Sequence, residues 1–387
     1  MTDVTRSIYM GMKVLIGQSL ISDQAVIVEE DKIQAIIPVN MVKHHLPAIK
    51  YEYPADHYMV PGFIDLHVHG AEGHDVMDNS VLAMQGMCRA LAREGVTGFL
   101  ATTLSASPQE IEAVLSTVSE AAASLEGAAI LGVHLEGPFI AKEKRGAQQG
   151  ERMLPDMALM RSWQKAAKDT IKVVTLAPEL SGALAFIQAL SQSGVIVSIG
   201  HTNATYTETC AGITAGCTQA THLFNAMSGM HQREPGASGA LLLSNEVVAE
   251  LIVDGMHLHP AMVELAMRIK GKDRLLLVTD AMRAKCRGDG QYDLGGQPVT
   301  VKNGRATLTD GTLAGSTLRM PQAIKNMADF AHCSLEEAIY MATCTPARVL
   351  GLSRQKGSIE VGKDADLVIL NDAFEVVSTL LAGHALF

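Results

Sequence analysis

Between Phe63 and Asp280 the chain repeats one alternation: a short apolar, β-prone run, then in several places a stretch with apolar residues at three- and four-residue spacing. The β-prone runs are Phe63–His69, Gly98–Thr103, Ala129–Glu136, Lys172–Pro178, Val195–His201, Gln219–Asn225, Val247–Asp254 and Arg274–Asp280. Helical patterns fall at Val81–Glu94, Pro108–Leu125, Ser181–Ser193 and Pro260–Lys270. The second of these opens with Ser107 in the capping position and Pro108 in the first turn, where a missing N–H costs nothing. Eight strands alternating with helices predict an α/β fold, a (β/α)8 TIM-type barrel.

The flanks have a different character. Tyr9–Ile16, Gln24–Glu29 and Lys32–Pro38 read as short strands, and Gly357–Leu370 reads as a turn followed by a buried strand. These predict a small β-sandwich domain built from both chain ends, residues 1–58 and 350–387, with the barrel of residues 59–349 inserted between its halves. Residues 284–316 are glycine-rich, with turn signals at Asp289-Gly290 and Asn303-Gly304. They predict a hairpin-bearing excursion after the eighth strand that covers the site.

Composition removes several classes of partner. The formal charge is −10 and the acidic residues are scattered, which argues against nucleic acid. No apolar run is long enough to span a bilayer, and Lys13 interrupts the nearest thing to a secretory leader, so no membrane partner is expected. The six cysteines form no CxxC pair, which fits reduced thiols and a cytoplasmic location.

His67 and His69 are two apart on a strand and so share a face. Glu136, His201, His222 and Asp280 also fall at or near strand ends. In a barrel those C-terminal ends meet at one mouth. Taken singly, each residue is an ordinary polar side chain. Scatter does not explain six of them at strand ends of one polarity. Four imidazoles and two carboxylates suit one or two divalent ions, with Glu136 placed to bridge; zinc comes first, with iron, manganese or cobalt as alternatives. Asp280 is the candidate to take a proton from a metal-activated water, which is equipment for hydrolysing an amide or ester.

Phe63-Ile64-Asp65-Leu66-His67-Val68-His69 resembles the His-x-His signature of the amidohydrolase superfamily. The likeness narrows at His134-Leu135-Glu136-Gly137-Pro138-Phe139, Gly200-His201-Thr202, Thr221-His222-Leu223-Phe224-Asn225-Ala226-Met227 and Thr279-Asp280-Ala281. Leu313-Ala314-Gly315-Ser316 and Thr345-Pro346-Ala347-Arg348 fit as well. Together these are similar to the N-acetylglucosamine-6-phosphate deacetylase family, in which a glutamate takes the bridging place that many amidohydrolases give to a carboxylated lysine.

That resemblance implies hydrolysis of N-acetyl-D-glucosamine 6-phosphate to D-glucosamine 6-phosphate and acetate. It implies that Glu136, His201 and His222 hold the more widely kept ion, and that His67 and His69 allow a second. Asp280 would serve as general base toward water and then as general acid toward the leaving amine. Arg233 and His257 lie where the family contacts phosphate, Asn225 and Ala226 resemble its sugar and phosphate contacts, and Leu313, Ala314 and Gly315 join the substrate set. Gln148 stands in Gly146-Ala147-Gln148-Gln149, where some members carry a histidine for the sugar hydroxyls. The arginine can come from a neighbouring subunit, so a homodimer is expected. His134 reads as a core or supporting histidine. Two other readings are an amidohydrolase acting on another N-acyl amino sugar phosphate or a cyclic amide, and a non-catalytic barrel.

Overall fold

Eight parallel strands form one sheet, each paired with the next in sequence. They are β1 (Phe63–Val68), β2 (Val96–Thr102), β3 (Ala129–Glu136), β4 (Ile171–Leu176), β5 (Ile196–Ile199), β6 (Cys217–Ala220), β7 (Val248–Leu251) and β8 (Leu275–Leu277). The computed structural model describes residues 6–44, 48–122, 125–150 and 152–387. Residues 1–5 and 45–47 of the expected terminal domain, 123–124 of the expected second helix and 151 of the expected barrel lie outside them.

The last strand returns to the first. Val68 and Ala281 form a parallel bridge. The Asp280 amide donates to the His67 carbonyl at 2.8 Å, and the His69 amide to the Ala281 carbonyl at 2.9 Å. Buried Asp65 reinforces the seam: its Oδ2 accepts from the Thr279 hydroxyl at 2.6 Å, and its Oδ1 from the amides of His67 and Thr279, each at 3.3 Å.

One helix follows each strand: α1 (Val81–Ala92), α2 (Pro108–Ala121), α3 (Met157–Ala166), α4 (Ala183–Gln192), α5 (Tyr206–Ala215), α6 (Gly236–Leu243), α7 (Pro260–Lys270) and α8 (Met320–Ala331). The α2 start is a reciprocal cap, with the Glu110 amide donating to Ser107 Oγ at 3.3 Å and the Ser107 amide to Glu110 Oε2 at 3.0 Å. Helices outside and side chains inside cover both faces of the sheet, and every residue of β2 is buried.

Five strands stop two or more residues earlier than their apolar runs predict, the run at 172–178 ending at Leu176. The other four, at 195–201, 219–225, 247–254 and 274–280, end as strands at Ile199, Ala220, Leu251 and Leu277. In three of them the residue with chemistry lies beyond the ladder in the left-handed region: φ is 48° at His201, 33° at His222 and 47° at Asp280. Phe224 and Ala226 follow His222 with φ of 78° and 48°, so the segment after β6 is a coiled turn rather than strand.

Between β8 and α8, strands Gly290–Leu294, Gln297–Lys302 and Arg305–Thr307 form an antiparallel sheet. Its inner side packs Leu294, Val299, Val301 and Ala306 against Leu104, Met282 and Ala314. Strands from both chain ends share a six-stranded sheet, in which Tyr58–Pro61 pairs antiparallel with Leu367–Leu370 and parallel with Lys13–Ile16. The run 9–16, expected as one strand, is two: Arg6–Met10 lies in a separate four-stranded sheet and Lys13–Ile16 in this one. The chain turns at Gly11, with φ of 97°, where an added Cβ would sit 2.1 Å from the Tyr53 carbonyl oxygen. Tyr9, Val14, Val28, Met59, Leu367 and Ile369 share one apolar cluster of these sheets.

Candidate metal centre and substrate cavity

Glu136, the last residue of β3, is 2% exposed and receives a histidine from every side. Its Oε1 lies 3.0 Å from His222 Nε2, 3.1 Å from His201 Nε2 and 3.4 Å from His67 Nε2. Its Oε2 lies 3.4 Å from His69 Nε2. Asp280 Oδ1 stands 3.2 Å from His69 Nε2 and 3.5 Å from His67 Nε2. The six residues chosen from the sequence therefore form two groups of convergent donors, Glu136/His201/His222 and His67/His69/Asp280, with the donors of each group within 4.8 Å of one another. Glu136 lies between them.

The donor set fits divalent cations. Both carboxylates are buried, and something positive must balance them. In the ion-free protein protons do so. Burial opposes charging His67, yet the carboxylates of Glu136, Asp280 and Glu250 outweigh it and hold its pKa well above the ordinary value. His69 is likewise pushed up, to about 9, by Asp280 and Glu136 against burial. Burial would raise Glu136, but His67 and His201, with bonds from His201 and His222, hold it well below the usual carboxylate range. Against its own burial, Asp280 is held low by His67 and His69. Tightly packed imidazole nitrogens and carboxylate oxygens form a ligand set that zinc and its first-row neighbours accept.

A third group, His67/His134/Glu250, also has close donors. Its His134 is already used, with Nδ1 at 3.1 Å from the Leu66 carbonyl and Nε2 at 2.7 Å from Thr175 Oγ1. Burial and neighbouring His67 depress the His134 pKa to about 4, which keeps the ring neutral. It supports the barrel interior, as the sequence suggests.

The centre opens into a cavity of about 370 Å³. Asn225, Ala226, His257, Gln148, Leu313 and Gly315 line it. His257 is held by Asp254, with Nδ1 at 2.7 Å from Oδ2. Two expected contacts fall elsewhere. Arg233 is exposed on the loop before α6 and does not line the cavity. Ala314 turns its side chain into the apolar cluster beneath the three-stranded sheet, because the chain there packs against Ala306, to whose carbonyl its amide donates at 3.2 Å. Gln148 lines the wall with its amide engaged: Nε2 donates to Glu136 Oε2 at 2.7 Å, and Oε1 accepts from Ser105 N at 2.8 Å and Ser105 Oγ at 2.5 Å. Gly137 allows this approach, since a Cβ there would lie 2.1 Å from Ser105 Oγ.

Sequence reasoning passed over three residues. Lys144 is the one lysine or arginine among the described residues that line the cavity, and its carbonyl accepts from His201 Nδ1 at 2.8 Å. Glu250 on β7 contacts His67. Asp65 ties β1 to the residues after β8. The available signal for the two acids was a lone carboxylate inside an otherwise apolar strand, a residue rarely buried without a partner.

Comparison with known proteins follows this geometry. Residues 58–386 match the amidohydrolase family. The chain is 44% identical over 339 residues to N-acetylglucosamine-6-phosphate deacetylase of Bacillus subtilis (strain 168), covering 86% of each chain. It is 36% identical over 386 residues to N-acetylgalactosamine-6-phosphate deacetylase of Escherichia coli O157:H7, covering 99% of each. Among solved structures, an aspartate-to-alanine mutant of the Mycobacterium smegmatis N-acetyl-D-glucosamine-6-phosphate deacetylase, in complex with N-acetyl-D-glucosamine-6-phosphate, superposes with a TM-score of 0.90 at 33% identity over 99% of both chains.

Proposed function

The chain belongs to the amidohydrolase family, and we propose that it hydrolyses N-acetyl-D-glucosamine 6-phosphate to D-glucosamine 6-phosphate and acetate. The observation that carries this is the convergence of four imidazoles on Glu136, with Asp280 beside them, at the floor of a cavity of about 370 Å³. In this reading His67, His69, Glu136, His201, His222 and Asp280 hold one or two divalent ions, zinc first. Such an ion lowers the pKa of a water ligand toward ~7 and polarises the amide carbonyl.

The chain's own groups do the rest. Asp280 accepts the proton of the attacking water as its oxygen joins the acetyl carbon. It then delivers that proton to the sugar nitrogen as the C–N bond breaks, because an amide nitrogen leaves readily only as an amine. Glu136, fixed by Gln148, keeps the ligands in register.

We assign the phosphate to Asn225, Ala226 and His257 and the sugar to Leu313 and Gly315, all of which line the cavity. A dianion there calls for more than Lys144. Arg233, exposed on its loop, is assigned to the cavity of a second subunit, where its planar fork suits phosphate; the enzyme is thus a homodimer. Residues 59–349 are taken as the catalytic barrel, its first residues, 59–61, reaching into the sheet of the accessory β domain taken as 1–58 with 350–387. A cytoplasmic location follows from the substrate, since a sugar phosphate is too charged to cross a bilayer unaided.

A second reading has one specific support. A 36% identical relative is named for the galacto isomer, and Gln148 here is committed to Glu136. Rates on the two 6-phosphates decide between them. Preference for the gluco substrate supports our assignment, and equal or reversed rates move the function to the galacto isomer or to both.

A further inference from the structure

A histidine offers Nε2 to a cation when its proton sits on Nδ1, so the group that accepts from Nδ1 sets the ring's use as a ligand. The rings of this centre are provided for differently. His69 Nδ1 lies 3.1 Å from the Thr102 carbonyl, and His201 Nδ1 lies 2.8 Å from the Lys144 carbonyl. His222 Nδ1 is buried with no hydrogen-bond partner among the described residues. His67 faces a carboxylate, with Nδ1 at 2.9 Å from Oε2 of Glu250.

Glu250 stands on β7 at 0% exposure. Its Oε1 accepts from Gln219 Nε2 at 2.6 Å, and its Oε2 also accepts from the His222 amide at 3.1 Å. It lies on the Nδ1 side of His67, whereas Nε2 of that ring points to His69, Glu136 and Asp280 at 3.3, 3.4 and 3.5 Å. Glu250 therefore sits behind the ligand and is not a donor to the same ion. Its side chain touches both halves of the centre, but unequally. Its Oε2 is the hydrogen-bond partner of His67 Nδ1. The turn carrying His222 keeps a second tie, because the Leu223 amide donates to the Glu250 backbone carbonyl at 2.9 Å, and substitution of the side chain leaves that bond in place.

We propose that Glu250 is the positioning residue of the His67/His69/Asp280 half: it fixes the Nδ1–H form of His67 and thereby builds a second divalent-cation site beside the one at Glu136/His201/His222. This rests on the reading above in taking the centre as one that binds metal.

The test is metal loading of the ion-free full-length protein with zinc, read by bound-metal content, and with cobalt(II), read by its visible absorption. Wild type takes up two ions. Glu250→Ala binds the first within ~3-fold of wild type and the second ~10–100-fold more weakly, with one cobalt spectrum lost. Glu250→Gln, which keeps an amide oxygen able to accept from Nδ1, restores part of the second affinity; if Glu250→Ala does not fold, its loss relative to wild type carries the comparison. His67→Ala is the reference for a lost second site. Two ions bound with wild-type affinity in the folded Glu250 variants overturn the proposal. So does equal loss of both ions, or a wild type that holds a single ion. Deacetylation by wild type is measured separately, so turnover with one bound ion overturns this inference alone, and two bound ions without turnover overturn the substrate reading alone.

Discussion

Gln148 donates to Glu136 Oε2 at 2.7 Å while Ser105 holds the other end of its amide at 2.8 and 2.5 Å. Ser105 N can only donate, so the amide oxygen must face Ser105 and the NH2 must face the carboxylate. A side chain read from the sequence as a sugar contact is thus clamped onto Glu136.

Substituting it separates the two roles. Gln148→Ala is expected to lower kcat by ~10–100-fold through a loosened Glu136, with KM within ~3-fold of wild type. Steady-state kinetics at saturating metal checks this. A KM that rises with kcat unchanged would return Gln148 to the sugar.

Asp280→Asn keeps nearly the same volume and removes the proton acceptor. Turnover is expected to fall by ~10²–10⁴-fold, with substrate still bound. Rapid-mix acetate assays together with equilibrium binding of the phosphorylated sugar measure both. Near-wild-type turnover would take Asp280 out of the proton path.

Arg233→Ala is expected to raise KM for the phosphorylated sugar by ~10-fold or more and leave the weak reaction of the unphosphorylated sugar unchanged. Mixing Arg233→Ala with Asp280→Asn subunits tests the second chain's role. Recovery of turnover in the mixture places Arg233 across an interface, and no recovery keeps it out of the neighbouring site.

The sign of the pH dependence follows from His69. Its ion-free pKa is raised to about 9 from an ordinary 6.5. The proton bound there contributes stability that is complete below 6.5 and is lost as pH rises through about 9. A cation must displace that proton. Ion-free protein is therefore expected to lose Tm across this window, while the rise in Tm on adding zinc grows. Melting curves with and without zinc at several pH values check it, and a zinc-induced shift that shrinks with rising pH contradicts it.

Much of this fold was written in periodicities. Ala129–Glu136 is a strand over its full expected length, and the Ser107 cap starts α2 where the sequence places it. The six clustered donors were legible because a barrel gathers its strand ends at one mouth, whatever the details of each strand. What stayed hidden depends on tertiary context. The apolar pattern of 219–225 continues past β6, but His222, Phe224 and Ala226 have positive φ in the fold, which side-chain patterning does not encode. Glu250 drew no notice inside an apolar run, because its meaning needs the ring of His67, which the barrel brings beside it from the other end of the sheet. Arg233 matched a motif position, yet a motif does not say whether its loop reaches the cavity of its own chain, and here it does not.

The most direct measurement is acetate release from N-acetylglucosamine 6-phosphate, beside the unphosphorylated sugar, before and after chelation and with zinc restored. The account predicts turnover of the phosphorylated sugar that disappears on chelation and returns with the metal, and little or none of the unphosphorylated one. No release from the phosphorylated sugar by the folded, metal-restored protein, or equal release after chelation, would contradict it.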